Sequence, residues 1–193
     1  KGVLIEQRSV TNRMCDVVER FALGPNDTAF AVTALHHDLS VFDIFGVLAL
    51  AGGSLAAPDP ETMKDPTRWH ALMARANVTV WNSVPAFVEM LLRCAGSGAE
   101  GYSGLKKVML SGDRIPPELP GEIRRLMPEA KIFSLGGPTE TTVWDIWHPI
   151  EDDDAERERI PYGVPLTNAS YYVMKDNLEE CPVWTSGELC IAG

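Results

Sequence analysis

The sequence predicts an α/β fold with a mostly parallel β-sheet and flanking helices over residues 1–150, then a loop and a small antiparallel β element over residues 151–193. As far as Trp147, short apolar runs alternate with amphipathic segments of helical periodicity, which is typical of parallel strands joined by right-handed crossovers. After the acidic run EDDDAERER, two strand-like runs surround a turn-rich middle without helical periodicity, which indicates an antiparallel pair.

The first elements follow from apolar spacing and from helix signals. After Ser9, a candidate N-cap, apolar residues recur at helical spacing until LGPND ends the helix. TAFAVTAL is a predicted buried strand, and LSVFDIFGVLALAGG is a predicted helix that Ser40 caps and its glycines end. SLAAPDP is a short strand that leaves into a turn.

The alternation then continues to the acidic run. The predicted helices are PTRWHALMARAN, PAFVEMLLRCA and PPELPGEIRRLM, and the predicted strands are VTVWNSV, KKVMLSG and KIFSLGG. We interpret the run EDDDAERER as a solvated loop, because uninterrupted charge has no reason to enter a core. ASYYVMKDNLEECPVWTSGELCIAG supplies the two strands of the antiparallel element.

The amino-acid composition and net charge indicate which classes of partner the chain is expected to bind. The 193 residues are 45% hydrophobic, so the chain can bury a substantial core. A formal charge of -10 argues against nucleic acid and against an anionic membrane, since both would repel an acidic surface. A small metabolite or a protein is the expected partner.

Cysteine and histidine spacing excludes further classes. The 4 cysteines form no CxxC pair, and the 4 histidines have no metal-ligand spacing with them, which argues against a metal finger and a disulfide scaffold. No signal peptide and no apolar run of membrane-helix length (roughly 18 residues) is present, so we expect the reducing cytoplasm. The opening KGVLIEQRSV has no initiator Met, and GELCIAG stops after a strand-like run, which predicts a piece of a larger protein.

Polar residues follow the predicted strands, where parallel α/β sheets bind their ligands. The loops HHDLS, WNSVP, LSGDR and LGGPTETT are expected to converge on one rim of the sheet. Each has a plainer interpretation when taken alone. Asp38 could cap the following helix, Asn82 and Ser111 could be ordinary strand-end hydrogen-bonding residues, and Gly112 with Asp113 is a common turn pair.

The stretch Gly136-Gly137-Pro138-Thr139-Glu140 is the most informative of these loops. Glycines let the backbone approach a ligand closely, and a threonine hydroxyl can donate to a phosphate oxygen. A carboxylate beside it can hold the magnesium ion that neutralises phosphates. The plainer alternative is a loop that ends in a helix cap.

Four motifs in order resemble those of adenylate-forming enzymes. LGGPTETTVW is similar to their fifth core motif, HHDLSVFDIFG to their fourth and GELCIAG to their sixth, and KGV resembles the end of their phosphate loop. FDIFG, VTVWNSVPA, LSGDRIP, IPYGVPL and CPVWTSGEL resemble nonribosomal peptide synthetase adenylation domains, above all cysteine-activating modules of pyochelin- and yersiniabactin-type siderophore synthetases. The implied fold is part of the large N-terminal subdomain of such an enzyme.

The resemblance implies a two-step reaction. An amino acid carboxylate attacks the α-phosphate of ATP to give aminoacyl-AMP and pyrophosphate, and a carrier-protein phosphopantetheine thiol then takes the acyl group. By this likeness the catalytic residues are Thr139, which meets the phosphates, and Glu140, which holds Mg²⁺. The residues that would contact the nucleotide are Gly112, Gly136, Gly137, Pro138, Thr139 and Lys1.

The resemblance also places a substrate pocket. Asp38 corresponds to the partner of the substrate α-ammonium group, for which an ion pair in a partly dry pocket is physically reasonable. His37 stands beside it, as in the acyl- and aryl-CoA ligase branch, and is either a gate of the pocket or an ordinary surface histidine. The other positions are bulky and apolar, or modestly polar, and leave room for a short side chain such as that of cysteine: Leu39, Phe42, Asn82, Met109, Ser111, Leu135, Val143 and Trp144.

Two departures from the family pattern leave alternatives open. Gly136 stands where many members have tyrosine, so adenine stacking is weaker here or comes from elsewhere. Most of the phosphate loop, the ribose-binding aspartate, the hinge and the C-terminal subdomain with its lysine have no counterpart in these 193 residues, so we expect the fragment alone to be inactive. The alternatives are an aryl- or acyl-CoA ligase and a non-catalytic scaffold unit of a synthetase.

Overall fold

The computed structural model describes residues 2–95 and 102–193, and Lys1 lies outside the described residues. The α-helices are α1 (Gln7–Arg20), α2 (Pro66–Arg75), α3 (Pro85–Cys94) and α4 (Leu119–Leu126), and a π-helix spans Phe42–Leu50. The strands are β1 (Thr28–Phe30), β2 (Ser54–Ala56), β3 (Val80–Ser83), β4 (Lys107–Leu110), β5 (Lys131–Gly136), β6 (Ile146–Ile150), β7 (Val164–Pro165), β8 (Ser170–Met174) and β9 (Glu188–Ala192).

The strands form the predicted mostly parallel sheet and the predicted antiparallel pair. The larger sheet has the order β2-β1-β3-β4-β5-β6-β7, and its pairs from β2 to β5 are parallel. Strands β6 and β7 pair antiparallel at its edge. Strands β8 and β9 form a separate antiparallel sheet. The α/β fold class is therefore confirmed, although the antiparallel β6 was not predicted.

Both faces of the larger sheet are covered, which explains why its strands are apolar runs without alternation. One core lies under α2, α3 and α4 and contains Phe30, Trp69 and Trp81, whose rings contact one another. The other lies under α1 and the π-helix and contains Met14, Phe42 and Trp144. The second core reaches the edge of the sheet at which the polar loops meet, so its packing holds those loops in position.

Neither predicted serine cap is present. Helix α1 begins at Gln7 with Glu6 at its N-cap, so Ser9 lies inside the first turn. The Ser40 hydroxyl donates to the Leu35 carbonyl at 3.4 Å instead of capping the next helix. That helix is of the π type and has no side-chain cap, and its wider turn is shown by the Ala51 N–H, which bonds to the Gly46 carbonyl five residues earlier.

The acidic run is not only a solvated loop. Residues Asp152–Glu156 form a 3₁₀ turn in which Asp154 is only 2% exposed. The Asp154 carboxylate lies 2.8 Å from His148 Nε2 and 2.9 Å from Arg157 Nε. Burial alone would raise the pKa of Asp154, but the backbone N–H of Glu151 and the His148 ring outweigh it and lower the pKa. The prediction failed here because one carboxylate in the run is paired inside the fold.

Within residues 2–95 and 102–193, none of the helices is both long enough and apolar enough to cross a bilayer.

Candidate functional site

The loops predicted to converge do meet at the carboxyl end of the parallel sheet. The Thr139 hydroxyl donates to Asp38 Oδ2 at 2.6 Å, across 101 residues of sequence. The Asn82 amide donates to the Leu39 carbonyl at 3.1 Å. These two bonds join the loop after β1 to the loop after β5 and to the end of β3, because neighbouring parallel strands end at the same edge.

The predicted substrate-pocket residues lie together and are mostly buried. Asp38 keeps 24% of its side chain exposed, so it lies at the mouth. Strands β3 and β4 pair Asn82 with Met109, which places these two at adjacent positions. The following are at most 5% exposed: Leu39, Phe42, Asn82, Met109, Ser111, Leu135, Val143 and Trp144. The group is thus a dry, tightly packed wall with one carboxylate at its edge.

Three side-chain polar atoms within this wall are buried without a hydrogen-bond partner. They are Asn82 Oδ1, Ser111 Oγ and Trp144 Nε1. A buried polar atom without a partner costs free energy, so such atoms in a ligand pocket commonly meet a polar group of the ligand. Because the Asn82 amide nitrogen already donates to the protein, its free oxygen can only accept.

Asp43 supports Asn82 and was not predicted. The Asn82 amide donates to Asp43 Oδ1 at 3.2 Å, and Asp43 is 2% exposed. Burial raises the pKa of Asp43 to about 7, and the hydrogen bond from Asn82 offsets part of that rise. Asp43 is the one charged residue in the apolar segment VFDIFGVLALAGG, and this feature of the sequence could have predicted a buried carboxylate.

His37 lies at the mouth of the pocket with 47% of its side chain exposed. Its Nδ1 atom is 3.2 Å from Asp38 Oδ1 and accepts a hydrogen bond from the Leu39 N–H at 3.3 Å. A nitrogen that accepts carries no proton, so in this arrangement Nδ1 does not donate to Asp38. His37 therefore borders Asp38 without neutralising it.

The Gly-Gly-Pro loop is wound tightly. Gly137 has φ +148°, and a Cβ atom on it would lie 2.9 Å from the Asp145 nitrogen. Thr142 and Val143 have φ of 74° and 67°, values that non-glycine residues rarely adopt. Strain at a β-branched residue persists only where the surroundings enforce it, and such positions cluster at functional sites.

Four of the six residues predicted to contact the nucleotide line one cavity of about 530 Å³, namely Gly112, Gly136, Gly137 and Pro138. Thr139 does not line it and donates to Asp38, and Lys1 lies outside the described residues. The other lining residues were not predicted to contact the nucleotide, although Leu135 was predicted for the substrate pocket: Asp113, Arg114, Ile115, Ser134, Leu135, Arg159, Ile160, Pro161 and Tyr162. The cavity thus combines glycine backbone, two guanidinium groups, one carboxylate and one aromatic ring.

Glu140 lies on the 3₁₀ turn Thr139–Thr141, is exposed, and lines a neighbouring cavity of about 650 Å³ together with Arg13 and Asp145. No group of three potential metal ligands occurs within residues 2–95 and 102–193. One exposed carboxylate is compatible with Mg²⁺, which commonly takes one or two carboxylates and completes its shell with phosphate oxygens and water.

Comparisons with known proteins agree with this geometry. The family described as AMP-binding enzyme matches residues 1–193. The chain is 40% identical over 196 residues to the anguibactin system regulator of Vibrio anguillarum, and 38% identical over 194 residues to pyochelin synthetase PchF of Pseudomonas aeruginosa. Bacitracin synthase 1 of Bacillus licheniformis is 36% identical over 193 residues. All of this chain is matched in each case, but it spans only 18%, 11% and 4% of these relatives.

A solved structure has the same fold. The nonribosomal peptide synthetase FmoA3 with AMPPNP bound superposes with a TM-score of 0.93 at 39% identity, over 99% of this chain and 21% of that one. A second structure of FmoA3, with alpha-methyl-L-serine-AMP bound, gives a TM-score of 0.92 at 39% identity, over 99% of this chain and 22% of that one.

Proposed function

Because the chain belongs to the family of AMP-binding enzymes, we propose that it is the central part of an amino-acid adenylation domain of a nonribosomal peptide synthetase. The complete domain activates an amino acid with ATP, and a carrier-protein phosphopantetheine thiol then takes the aminoacyl group. L-Cysteine is the proposed substrate, and the pyochelin synthetases PchF and PchE among the relatives are consistent with it.

The hydrogen bond between Thr139 and Asp38 carries this proposal. At 2.6 Å it holds the carboxylate proposed to bind the ammonium group directly beside the hydroxyl proposed to meet the phosphates. An amino acid whose ammonium group pairs with Asp38 would therefore present its own carboxylate next to the phosphates. A carboxylate oxygen attacks the α-phosphorus, the bond to the bridging oxygen breaks, and pyrophosphate leaves.

The chain's own residues bind and orient the reactants. Asp38 holds the ammonium group, the Thr139 hydroxyl is freed to donate to a phosphate oxygen, and the glycine backbone of the cavity admits the nucleotide. Glu140 would hold Mg²⁺, which when bound neutralises charge on the phosphates. The packed wall behind Asp38 excludes water from the attacking carboxylate.

The polarity of the pocket favours a short side chain with a hydrogen-bond donor. Asn82 Oδ1 is an unpartnered acceptor, Trp144 Nε1 is an unpartnered donor, and Ser111 Oγ can accept or donate. A thiol or hydroxyl, which can do both, would satisfy these atoms better than a methyl group. Phe42, Met109 and Trp144 are fully buried and leave little volume. The alpha-methyl-L-serine adenylate in the FmoA3 structure shows a small hydroxyl amino acid in a similar protein.

A cytoplasmic location is part of the proposal, and the 4 cysteines, all free thiols, support a reducing compartment. The neighbouring synthetase domains and a peptidyl carrier protein are the proposed partners. The expected absence of nucleic-acid and membrane partners rests on the charge of -10.

The test is ATP–pyrophosphate exchange by the chain expressed with the flanking segments that complete the domain. We expect the fastest exchange with L-cysteine among the amino acids, salicylate and benzoate. Asp38→Ala should lower kcat/KM for the amino acid by about 100-fold or more, since an unpaired charge is left in a partly buried site. Asp176→Ala, which removes an exposed carboxylate between β8 and β9, is the matched control and should leave exchange unchanged.

The other outcomes separate the alternatives. Exchange with aryl acids, unaffected by Asp38→Ala, would favour a CoA ligase in which His37 rather than Asp38 borders the substrate. A complete domain that neither exchanges pyrophosphate nor binds ATP would favour the scaffold alternative. Cysteine-dependent exchange that survives Asp38→Ala would keep the reaction and refute the role of Asp38.

A further inference from the structure

Tyr162 enters the nucleotide cavity from outside the four predicted loops. It lies in the segment before β7, and its side chain is 50% exposed while lining the cavity. It is the only aromatic side chain among the described residues that line this cavity. A half-exposed aromatic ring in a polar cavity is available for a ligand.

The ring occupies the space that a side chain at position 136 would take. A Cβ atom built on Gly136 would lie 2.6 Å from Cε2 and 2.8 Å from Cζ of Tyr162. Atoms at those separations overlap, so only glycine fits at position 136 while the ring is there. Glycine at position 136 thus leaves free the space that the Tyr162 ring occupies, and we call these two residues a matched pair.

A second tyrosine holds the far edge of the ring. The Tyr162 and Tyr171 rings meet edge to face with centroids 6.3 Å apart, and the Tyr171 hydroxyl donates to Asp145 Oδ1. Asp145 is 1% exposed, and its N–H donates to the Gly136 carbonyl at 2.8 Å. The ring is therefore anchored to the strand end whose side-chain space it fills, and burial keeps the pKa of both tyrosines above the ordinary value.

Glycine backbone also borders the cavity. Gly112 has φ +79°, which glycine adopts without strain, and it lines the same cavity as Tyr162. Glycine backbone and an aromatic ring in one cavity suit a flat heterocycle, and bases stack on aromatic rings regardless of sequence. Arg114 and Arg159 add positive charge at the same cavity in a chain of net charge -10.

We propose that Tyr162 is the side chain on which the nucleobase of ATP stacks, and that Gly136 is glycine to admit this ring. The inference rests on the proposed function, because it assigns the cavity to the nucleotide. It adds a binding residue that none of the four predicted loops contains.

The test compares side chains at position 162 in the complete domain. Tyr162→Ala should raise KM for ATP and the dissociation constant of AMP by at least about fivefold, with KM for the amino acid unchanged. Tyr162→Phe keeps the ring and should bind AMP nearly as well as the wild type. Tyr162→Leu keeps bulk without aromaticity and should resemble Tyr162→Ala. Equal AMP affinity of the Leu variant and the wild type would overturn stacking.

Gly136→Ala provides the second test. In the wild type the added methyl group should displace the ring and weaken AMP binding, whereas in the Tyr162→Ala background the same change should have little further effect. Additive losses from the two changes would overturn the pairing. Direct AMP titration separates the two proposals, because a wild-type domain that binds no AMP refutes the proposed function, while unchanged affinity in Tyr162→Ala refutes only this inference.

Discussion

The proposed substrate pocket and the proposed nucleotide cavity both lie at the carboxyl end of the parallel sheet but differ in how they are built. The wall behind Asp38 consists of side chains that are at most 5% exposed, and several belong to the second core. The proposed nucleotide cavity is lined by three glycines, by charged and apolar side chains and by one tyrosine ring. We expect the first region to select the amino acid through packing and buried polar atoms. We expect the second to bind the nucleotide through close contact with backbone and through aromatic stacking.

This difference decides what each region tolerates. A packed side-chain pocket can change its ligand by exchange of one residue, since its neighbours keep the shape of the rest. A backbone cavity cannot accept even one added methyl group where the chain has positive φ or a close neighbour. Variants in the two regions should therefore fail in different ways.

The largest expected effect concerns Asp43 beneath the substrate pocket. Its folded pKa of about 7 exceeds the ordinary value of 3.8, so the folded protein keeps a proton that the unfolded chain releases. The free energy of unfolding should therefore fall as pH rises from about 4 to about 7, by at most about 4 kcal/mol at roughly 1.36 kcal/mol per pKa unit. Asp43→Asn should remove this fall, as measured by urea unfolding at several pH values.

Asp154 is the control, because its pKa is shifted in the opposite direction. The pKa of Asp154 is lowered, so its contribution is present above the ordinary aspartate pKa and is lost as pH falls below it. Asp154→Asn should therefore lower the free energy of unfolding at neutral pH. It should also make that free energy fall less as the pH is lowered. Parallel pH profiles for wild type and Asp43→Asn would show that Asp43 does not retain its proton in the fold.

The next effect tests the backbone cavity. Gly137→Ala places a methyl group 2.9 Å from the Asp145 nitrogen at φ +148°, so the loop must shift, and we expect kcat/KM for ATP to fall by at least about tenfold. Gly121→Ala is the matched control, because its Cβ atom meets nothing within 4 Å and lies in α4. That variant should gain about 0.5–1 kcal/mol in stability and keep its activity. Equal activity of both variants would mean that the loop adapts.

The smallest effect tests the buried polar atoms of the substrate pocket. Ser111 Oγ has no partner, so Ser111→Ala should leave the melting temperature unchanged or higher while KM for cysteine rises by about threefold to tenfold. Ser83 is the matched control, since its hydroxyl accepts from Trp81 at 2.7 Å and donates to Val84 at 2.8 Å. Ser83→Ala should lower stability. A Ser111→Ala variant with unchanged KM would remove this hydroxyl from the substrate contact.

Short-range patterns predicted much of the rim. Strand and helix alternation predicted a parallel sheet, and a parallel sheet requires the loops with Asp38, Asn82, Ser111 and Gly136 to share one edge. Residues near each strand end were therefore identifiable from local sequence. The same logic missed the antiparallel strand β6, because a short strand that contains Pro149 has no distinct local signal.

Contacts between distant segments were outside the reach of local patterns. Asp43 acts through Asn82, which is 39 residues away in sequence, and Tyr162 fills space beside Gly136 from the segment before β7. The π-helix likewise has the composition of an ordinary helix, and its width shows only in its hydrogen bonds. Such features depend on which surfaces the folded chain brings together.

The sequence by itself determined the order of the parallel strands and of the α-helices between them, and the residue types at each strand end, because hydrophobic periodicity and turn chemistry are local. Tertiary structure alone decided which polar atoms were left without a partner, which carboxylate retained its proton and which ring reached the nucleotide cavity. Those properties depend on burial and on separations of a few ångström between residues far apart in the chain, and neither quantity is written in any short stretch of sequence.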